Sequence, residues 1–313
     1  HSVVIMWRYI LKRIVALIPV IIGVTLIVYF IMSLAPGDPA VTILGDQATP
    51  EAIEQLREEM GLNDPIIVQY VRYMFNLCRG DMGTSYKTKK AVSVEIFSRF
   101  PATAKLSIVA VIFSPIMAIP LGIVAAIKQN SFFDGFSMIV ALLGISMPIF
   151  WFGVLLPLLF YLKLGWLPST GNDYWYSIVL PATALGFHNV ASVARITRSS
   201  MLEVIRQDYI RTARAKGVSY GTVIKKHALR NALIPVITVL GIQIGSLLAG
   251  STLSETVFAW PGMGRFMIAS ISGRDIPSVL GCIILFTLCF SVCNLAVDLA
   301  YGFIDPRIKS QYK

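Results

Sequence analysis

The chain has 313 residues, of which 56% are hydrophobic and 14% charged, and it carries a formal net charge of +10. That balance is too apolar for an ordinary soluble domain and points to a membrane protein. It also argues against a nucleic-acid partner, because the positive charge is gathered in short segments between apolar runs rather than spread over a soluble face.

A helix needs roughly 20 apolar residues to cross a bilayer. Six windows meet that length, at 14–35, 106–127, 136–162, 176–194, 233–254 and 279–303. The first follows the basic segment 1–13 and outruns the apolar core of a cleaved leader, about 7–15 residues, so it reads as an uncleaved signal-anchor. Residues 36–105 read as a structured cap outside the membrane. Thr49, Pro50 and Glu51 supply a helix cap, a proline at the first helical position and an acid near the positive dipole end. Ile53, Leu56 and Met60 follow at helical spacing up to Gly61, which can end the turn. Asp64 and Pro65 then open a second helix with Tyr70, Tyr73, Met74 and Leu77 on one side, closing near Gly80. Residues 80–90 read as a loop and 92–100 as a short helix leading to the second span.

Pro115 and Pro120 in the second span, and Pro148 and Pro157 in the third, predict kinks, since each removes a backbone donor. The fourth span is the weakest, because Pro181, Gly186 and His188 interrupt it. The core 106–303 is itself interrupted by a water-compatible insert at 195–232. In it, nine residues from Arg195 to Arg230 are Arg or Lys, against Glu203 and Asp208. With the N terminus inside, the short inner segments, including the tail 304–313, hold 16 basic residues and the short outer loops three, so both termini are expected to face the cytoplasm.

The insert parses as two short helices. Asp208 can cap 209–216, with Gly217 as its left-handed stop, and Ser219 can cap a second helix through His227 toward Leu233. Ala213 and Gly217 lie four residues apart and present a side without bulk, on which another chain can seat closely. Tyr209 and Thr212 flank it, and Arg211, Arg214 and Lys216 supply charge around it, with Ala215 within the same helix. Two readings fit: a handle for a cytoplasmic partner, or a basic loop that sets topology and touches anionic lipid.

The outer loop after the fifth span carries Glu255, Phe258, Trp260, Pro261, Gly262 and Gly264. It reads either as a re-entrant lip around a pathway or as an interfacial aromatic belt before a tight turn. Cys282, Cys289 and Cys293 share one face of the last span and suit packing, with Cys78 alone outside, so no disulfide framework is expected. Asp298 is expected to pair with a base or backbone group near the cytoplasmic end.

No Gly-x-x-x-x-Gly-Lys-[Ser/Thr] loop occurs, and neither a metal-spaced His/Cys cluster nor a nucleophile–base constellation is visible. No catalytic residue, metal site or resident cofactor is therefore expected. A rival class, the ion-coupled transporter without ATPase partners, places ionisable groups near the bilayer centre. The predicted spans carry none there, with His188 toward the inner end of the fourth. Switching access from 1:99 to 99:1 takes about 5.5 kcal/mol of differential interaction, which must then come from outside the chain.

The insert resembles the cytoplasmic loop of binding-protein-dependent ABC importer permeases, patterned Glu-Ala-Ala-x-x-x-Gly-x9-Ile-x-Leu-Pro. Here Arg211-Thr212-Ala213 leads to Gly217, and His227-Ala228-Leu229-Arg230 follows. Ala213, Gly217 and Leu229 match; Arg211, His227 and Arg230 replace the Glu, Ile and Pro. Those departures are the usual wording of the peptide/nickel branch, first-permease type. The likeness continues at 32–39 (MSLAPGDP), 195–203 (RITRSSMLE), 260–264 (WPGMG) and 298–307 (DLAYGFIDPR). It implies an all-α polytopic fold of the type I importer kind, with six transmembrane helices and an external helical cap. It further implies a second homologous permease, two cytoplasmic ATPases that bind the ATP and magnesium, and an external solute-binding protein, in a bacterial inner membrane. In that family the helix at 209–216 docks into a cleft on the ATPase. Because Arg211 stands where the family has Glu, a salt bridge made by that Glu does not carry over. Relatives in the family move dipeptides, oligopeptides, glutathione, nickel or metal chelates.

Overall fold

The computed structural model describes residues 2–35, 37–45 and 47–304, and its regular structure there is helical apart from an isolated bridge between Thr84 and Ala91. Residues 305–313 of the expected tail, with His1, Pro36 and Asp46, lie outside the described residues. The long helices are α1 (Ser2–Leu34), α5 (Val92–Ile127), α8 (Val179–Ile205), α11 (Leu229–Val257) and α13 (Ile276–Ile304). Between α1 and α5 lie α2 (Pro39–Leu44), α3 (Pro50–Glu59) and α4 (Ile66–Cys78). α6 (Phe132–Ser146) and α7 (Ile149–Pro157) precede α8, and α9 (Asp208–Ala215) and α10 (Tyr220–Thr222) follow it. α12 (Met263–Ser272) separates α11 from α13.

Among the described residues, five helices are long and apolar enough to cross a membrane, and α6 with the segment from Ile149 to Lys163 makes a sixth if that pair is one span. The third span was expected as a kinked helix over 136–162. It is instead two helices bent by 108°. Proline explains the break. Pro148 has no N–H to donate and pushes Met147 out of the helical region, to φ −78°, ψ 124°. At Pro157 the chain does not break but passes into a π-turn, Leu158–Lys163.

A second expectation also changes. The separate helix at 92–100 is the first part of α5, which runs unbroken for 36 residues. Its polar start is held by the i,i+4 ion pair of buried Glu95 with Arg99, so the low apolarity there does not mark a boundary.

The weakest predicted span is the central one. In the apolar window around α8, 72% of residues are buried inside the protein, against 11% for α1. α8 faces other helices rather than lipid, so it tolerates buried Asn189, Thr197 and Ser200. Its approach to α5 is very close. A Cβ at Gly122 would lie 2.6 Å from the Ala194 carbonyl oxygen, and one at Gly186 would lie 3.1 Å from that of Ala110. Small residues permit this backbone contact, which matters where lipid offers no hydrophobic drive for helix association.

The cap follows its local signals. Thr49 Oγ1 accepts from the Ala52 N–H at 3.3 Å, Pro50 opens α3, and Gly61 sits at φ +64°. Tyr70 of α4 is buried edge-on to Tyr29 of α1, with ring centroids 5.6 Å apart. The cap is pinned to α13 by buried Asp275, which accepts from the Ser85 and Ser278 hydroxyls and from the Tyr86 N–H. Burial, then the neighbouring Tyr29 and Asp275, pushes the Tyr86 hydroxyl well above the usual tyrosine range, so it stays protonated. At the opposite end Arg13 Nη2 meets Asp298 Oδ2 at 2.8 Å, tying α1 to α13 and supplying the basic partner expected for Asp298.

Replacing Gly122 with Leu drives a side chain into a backbone carbonyl that cannot give way. Such overpacking costs about 1–3 kcal/mol or more. The expected result is a lower melting temperature of the detergent-solubilised protein, measured by thermal unfolding, with Gly23→Leu, which faces open space, as the silent control.

Candidate functional site

The insert forms the short helix α9 and, after Ser219, a second helical stretch that runs on into α11. α9 starts one residue earlier than the spacing suggests: Gln207 takes the N-cap position and Asp208 the first turn, where its charge still suits the helix dipole. The Asp208 side chain is 97% exposed and reaches Arg211 only at 3.8 Å, a contact that contributes little. Lys216 closes the helix and Gly217 follows at φ +80°, with its N–H bonded to the Arg214 carbonyl. That left-handed position is the one the sequence assigns to Gly217.

The expected second helix is absent as a separate unit. Ser219 makes no side-chain cap and instead pairs with Thr222 Oγ1 at 2.9 Å. α10 passes into a π-turn, Val223–Ala228, and then directly into α11. The fifth span therefore extends to Tyr220. The wider π-turn points Val223, Ile224 and Ala228 inward while Lys225 and Lys226 stay exposed, so an apolar anchor and a basic surface share one turn.

Those inward residues hold α9. Ile210, 2% exposed, packs in a cluster with Ala126 at the end of α5, Met201 of α8, and Val223, Ile224, Ala228 and Ala232. Ala213 joins the edge of this cluster, which corrects the small outward face expected of Ala213 with Gly217. Ala213 serves the intramolecular contact, and of the two only Gly217 is open to an incoming group, with nothing within 4 Å of where its Cβ would be. Tyr209, Arg211, Thr212, Arg214, Ala215 and Lys216 are exposed. Tyr209 is nonetheless fixed, its hydroxyl accepting from Asn231 Nδ2 at 2.8 Å. Thr212 Oγ1 donates to the Asp208 carbonyl at 3.0 Å, and Arg214 lies 5.6 Å from the Tyr220 ring centroid. The result is a cationic helix, water-facing on one side and bolted to the ends of α5, α8 and α11 on the other.

At the other end of the same helices lies the loop 258–264. Phe258 and Trp260 were weighed as interfacial aromatics, but they are 1% and 2% exposed. Trp260 packs among Leu106, Leu185 and Leu247 and donates through Nε1 to the Ala102 carbonyl at 3.0 Å. Burial of this kind needs a partner for the indole N–H, and the start of α5 provides it. Glu255 is fully buried, Gly262 and Gly264 are buried, and Pro261 is exposed.

An ion pair between α6 and α8 was not anticipated from the sequence. Asp134 of α6 accepts from Arg198 of α8 through Nε at 2.6 Å and Nη2 at 2.8 Å. Both residues fall just outside the predicted spans, and they lie 64 positions apart. A local signal did exist: Ser131 caps α6 and accepts from the Asp134 N–H, an N-terminal signature that places the helix start before 136.

Residues 118–310 match the family described as the binding-protein-dependent transport system inner membrane component, and residues 6–107 match the N-terminal part of such components. The dipeptide transport system permease DppB of Alkalihalophilus pseudofirmus is 48% identical, over 97% of this chain and 100% of that protein. The glutathione transport system permease GsiC of Salmonella typhimurium is 43% identical, over 97% of this chain and 99% of that protein. The di/tripeptide transport system permease DppB of Pseudomonas aeruginosa is 42% identical, over 98% and 100% respectively. The fold is similar to that of the inward-facing MetNI methionine ABC transporter, with TM-score 0.55 and 19% identity, over 68% of this chain and 93% of that one. The chain belongs to the family of binding-protein-dependent transport system membrane components. It is a membrane permease subunit of an ABC importer, a function that needs partner ATPase and binding-protein subunits, and not an ion-coupled secondary transporter.

Ile210→Ala removes the side chain that holds α9, a truncation that costs about 2–5 kcal/mol in a packed site. Limited trypsin digestion of the detergent-solubilised variant should cut faster at Arg211, Arg214 and Lys216 than in the parent, while cleavage in the cap at Lys87 is unchanged.

Proposed function

We propose that this subunit, paired with a second homologous permease, forms the path for a short peptide delivered by an external binding protein, driven by two cytoplasmic ATPases that grip α9. The observation that carries the coupling role is the anchoring of α9 through Ile210 to the ends of α5, α8 and α11 at once. A push on an unanchored loop would be lost in loop motion. Against this cluster it becomes a displacement of three long helices, because a packed apolar contact transmits strain. The exposed Arg211, Arg214 and Lys216 supply the charge that an acidic cleft would meet, and open Gly217 lets its wall approach.

The solute class follows from the relatives. They are named for dipeptides, di/tripeptides and glutathione, and all of these are short peptides with free terminal charges. Nickel and metal chelates have no counterpart among those three names. Positive residues at the α9 end support a cytoplasmic placement of that end and of both termini, with the cap outside. ATP and magnesium belong to the partner subunits in this reading, and the chain itself is not an enzyme.

Substitution at Gly217 tests the coupling role. Asparagine tolerates φ +80° whereas valine does not, a difference of about 1–2 kcal/mol or roughly tenfold in population. In vesicles containing the full importer, Gly217→Val should lower ATP-dependent uptake of a labelled dipeptide, while Gly217→Asn should keep it and both variants insert normally. Unchanged uptake in Gly217→Val would sink the coupling role. Uptake by the parent that collapses with an ionophore and ignores ATP would instead sink the importer reading.

A further inference from the structure

The outer end of the bundle holds a carboxyl group that the coupling argument does not use. Glu255 sits in the last turn of α11, where the helix dipole opposes negative charge, and it is 0% exposed. A buried carboxylate in such a place persists only if donors surround it. Thr103 Oγ1 of α5 donates to Oε1 at 2.6 Å, and Ser251 Oγ, which donates to the Leu248 carbonyl at 2.7 Å, lies 3.2 Å from the same oxygen. The Arg265 backbone N–H donates to Oε2 at 3.0 Å. The Thr103 hydroxyl, which itself accepts from the Met263 N–H, and the Arg265 N–H can only donate to this carboxyl group.

The same contacts complete α12. Its N-cap position is Gly262, which has no side chain to offer. The first-turn N–H groups are capped by other helices instead: Arg265 by Glu255, and Met263 by Thr103 Oγ1 at 2.8 Å. Glycine at 262 is required by this arrangement, because a Cβ there would collide with the Glu255 carboxyl group. Gly264 likewise lets α12 touch α11, since its Cβ would fall 2.5 Å from Thr252 Cα. One carboxyl group therefore joins α5, α11 and α12 at a single buried point. α5 and α11 are also the helices whose opposite ends share the Ile210 cluster.

We propose that Glu255 is a positioning residue for transport: through Thr103 and the first turn of α12 it makes the outer ends of α5, α11 and α12 one body, so that motion entering at α9 reaches the outer lip undiminished. This rests on the importer reading above. Without the tether, the loop 258–262 absorbs the motion, and ATP hydrolysis continues without proportionate import.

The test uses the assembled importer in proteoliposomes, with dipeptide imported per ATP hydrolysed as the readout. Thr103→Val keeps the volume and removes both hydrogen bonds of the hydroxyl, whereas Thr103→Ser keeps them. Glu255→Gln keeps one acceptor oxygen but turns an amide NH2 toward either the Thr103 hydroxyl or the Arg265 N–H, both of which donate here. The expected result is a fall of roughly tenfold or more in import per ATP for Thr103→Val and Glu255→Gln, with ATPase activity retained and Thr103→Ser unimpaired. Parent-like coupling in Thr103→Val would overturn the proposal, as would equal loss in Thr103→Ser, which would make packing the cause. Failure of both Thr103→Val and Glu255→Gln to copurify with the partner subunits would overturn it too, since the contact would then serve assembly. If the parent importer moves no short peptide, the solute assignment fails, and the tether is judged by the binding protein's stimulation of ATPase activity in the same variants.

Discussion

The close approach of α5 and α8 governs the rest of the structure. Gly122 and Gly186 remove the Cβ atoms that would hold the two backbones apart, and Thr197 and Phe113 fill the space beside them. In a bilayer such contact draws on packing rather than on removal of apolar surface from water. Once α8 is held this way, its remaining faces are largely taken by α6, α7 and α11. The break at Met147–Pro148 belongs to the same arrangement. It turns α7 so that Leu156 reaches Leu180, Ala184 and Phe258 at the outer end of α8.

The chemistry of the helix contacts changes along the bundle. Between α5, α8 and α11 the middle is lined by Ala118, Val190, Val193, Ala194 and Val236, with no hydrogen bond among these side chains to break when helices shift. The ends are polar and directional. Asp134 with Arg198 and Arg13 with Asp298 stand at the end that carries α9, and Glu255 with Thr103 and Asp275 with Ser85 stand at the cap end. Asp134, Glu255 and Asp275 are buried, and removing the partner of a buried carboxyl group is costly, so these groups hold the ends as units. An apolar middle between tied ends suits a subunit that must rearrange around a pathway without coming apart.

The anchoring of α9 shows how one segment meets two demands. Its basic residues stay in water, while Ile210, with Ala213 at the edge, faces the cluster that joins three helices. The π-turn at Val223–Ala228 makes this possible by setting two adjacent branched residues, Val223 and Ile224, inward with Lys225 and Lys226 outward. Periodicity of an ordinary helix does not anticipate that pattern.

The sequence by itself determined the membrane class, the positions of the apolar helices, the caps at Thr49 and Gly217, and the family, because each of these is written in neighbouring residues. Composition, local capping and a contiguous motif need no knowledge of what lies across the bundle. Only the tertiary structure decided that the least apolar span is the central helix, since low apolarity signals either a poor span or one shielded by its neighbours. It also decided that Ala213 turns inward, that Phe258 and Trp260 are core rather than interfacial, and that Glu255 meets Thr103 from 152 positions away. Pairings over such distances leave no periodic trace in one chain. They exist because the helices cross, and the crossing is set by side-chain volumes on both partners.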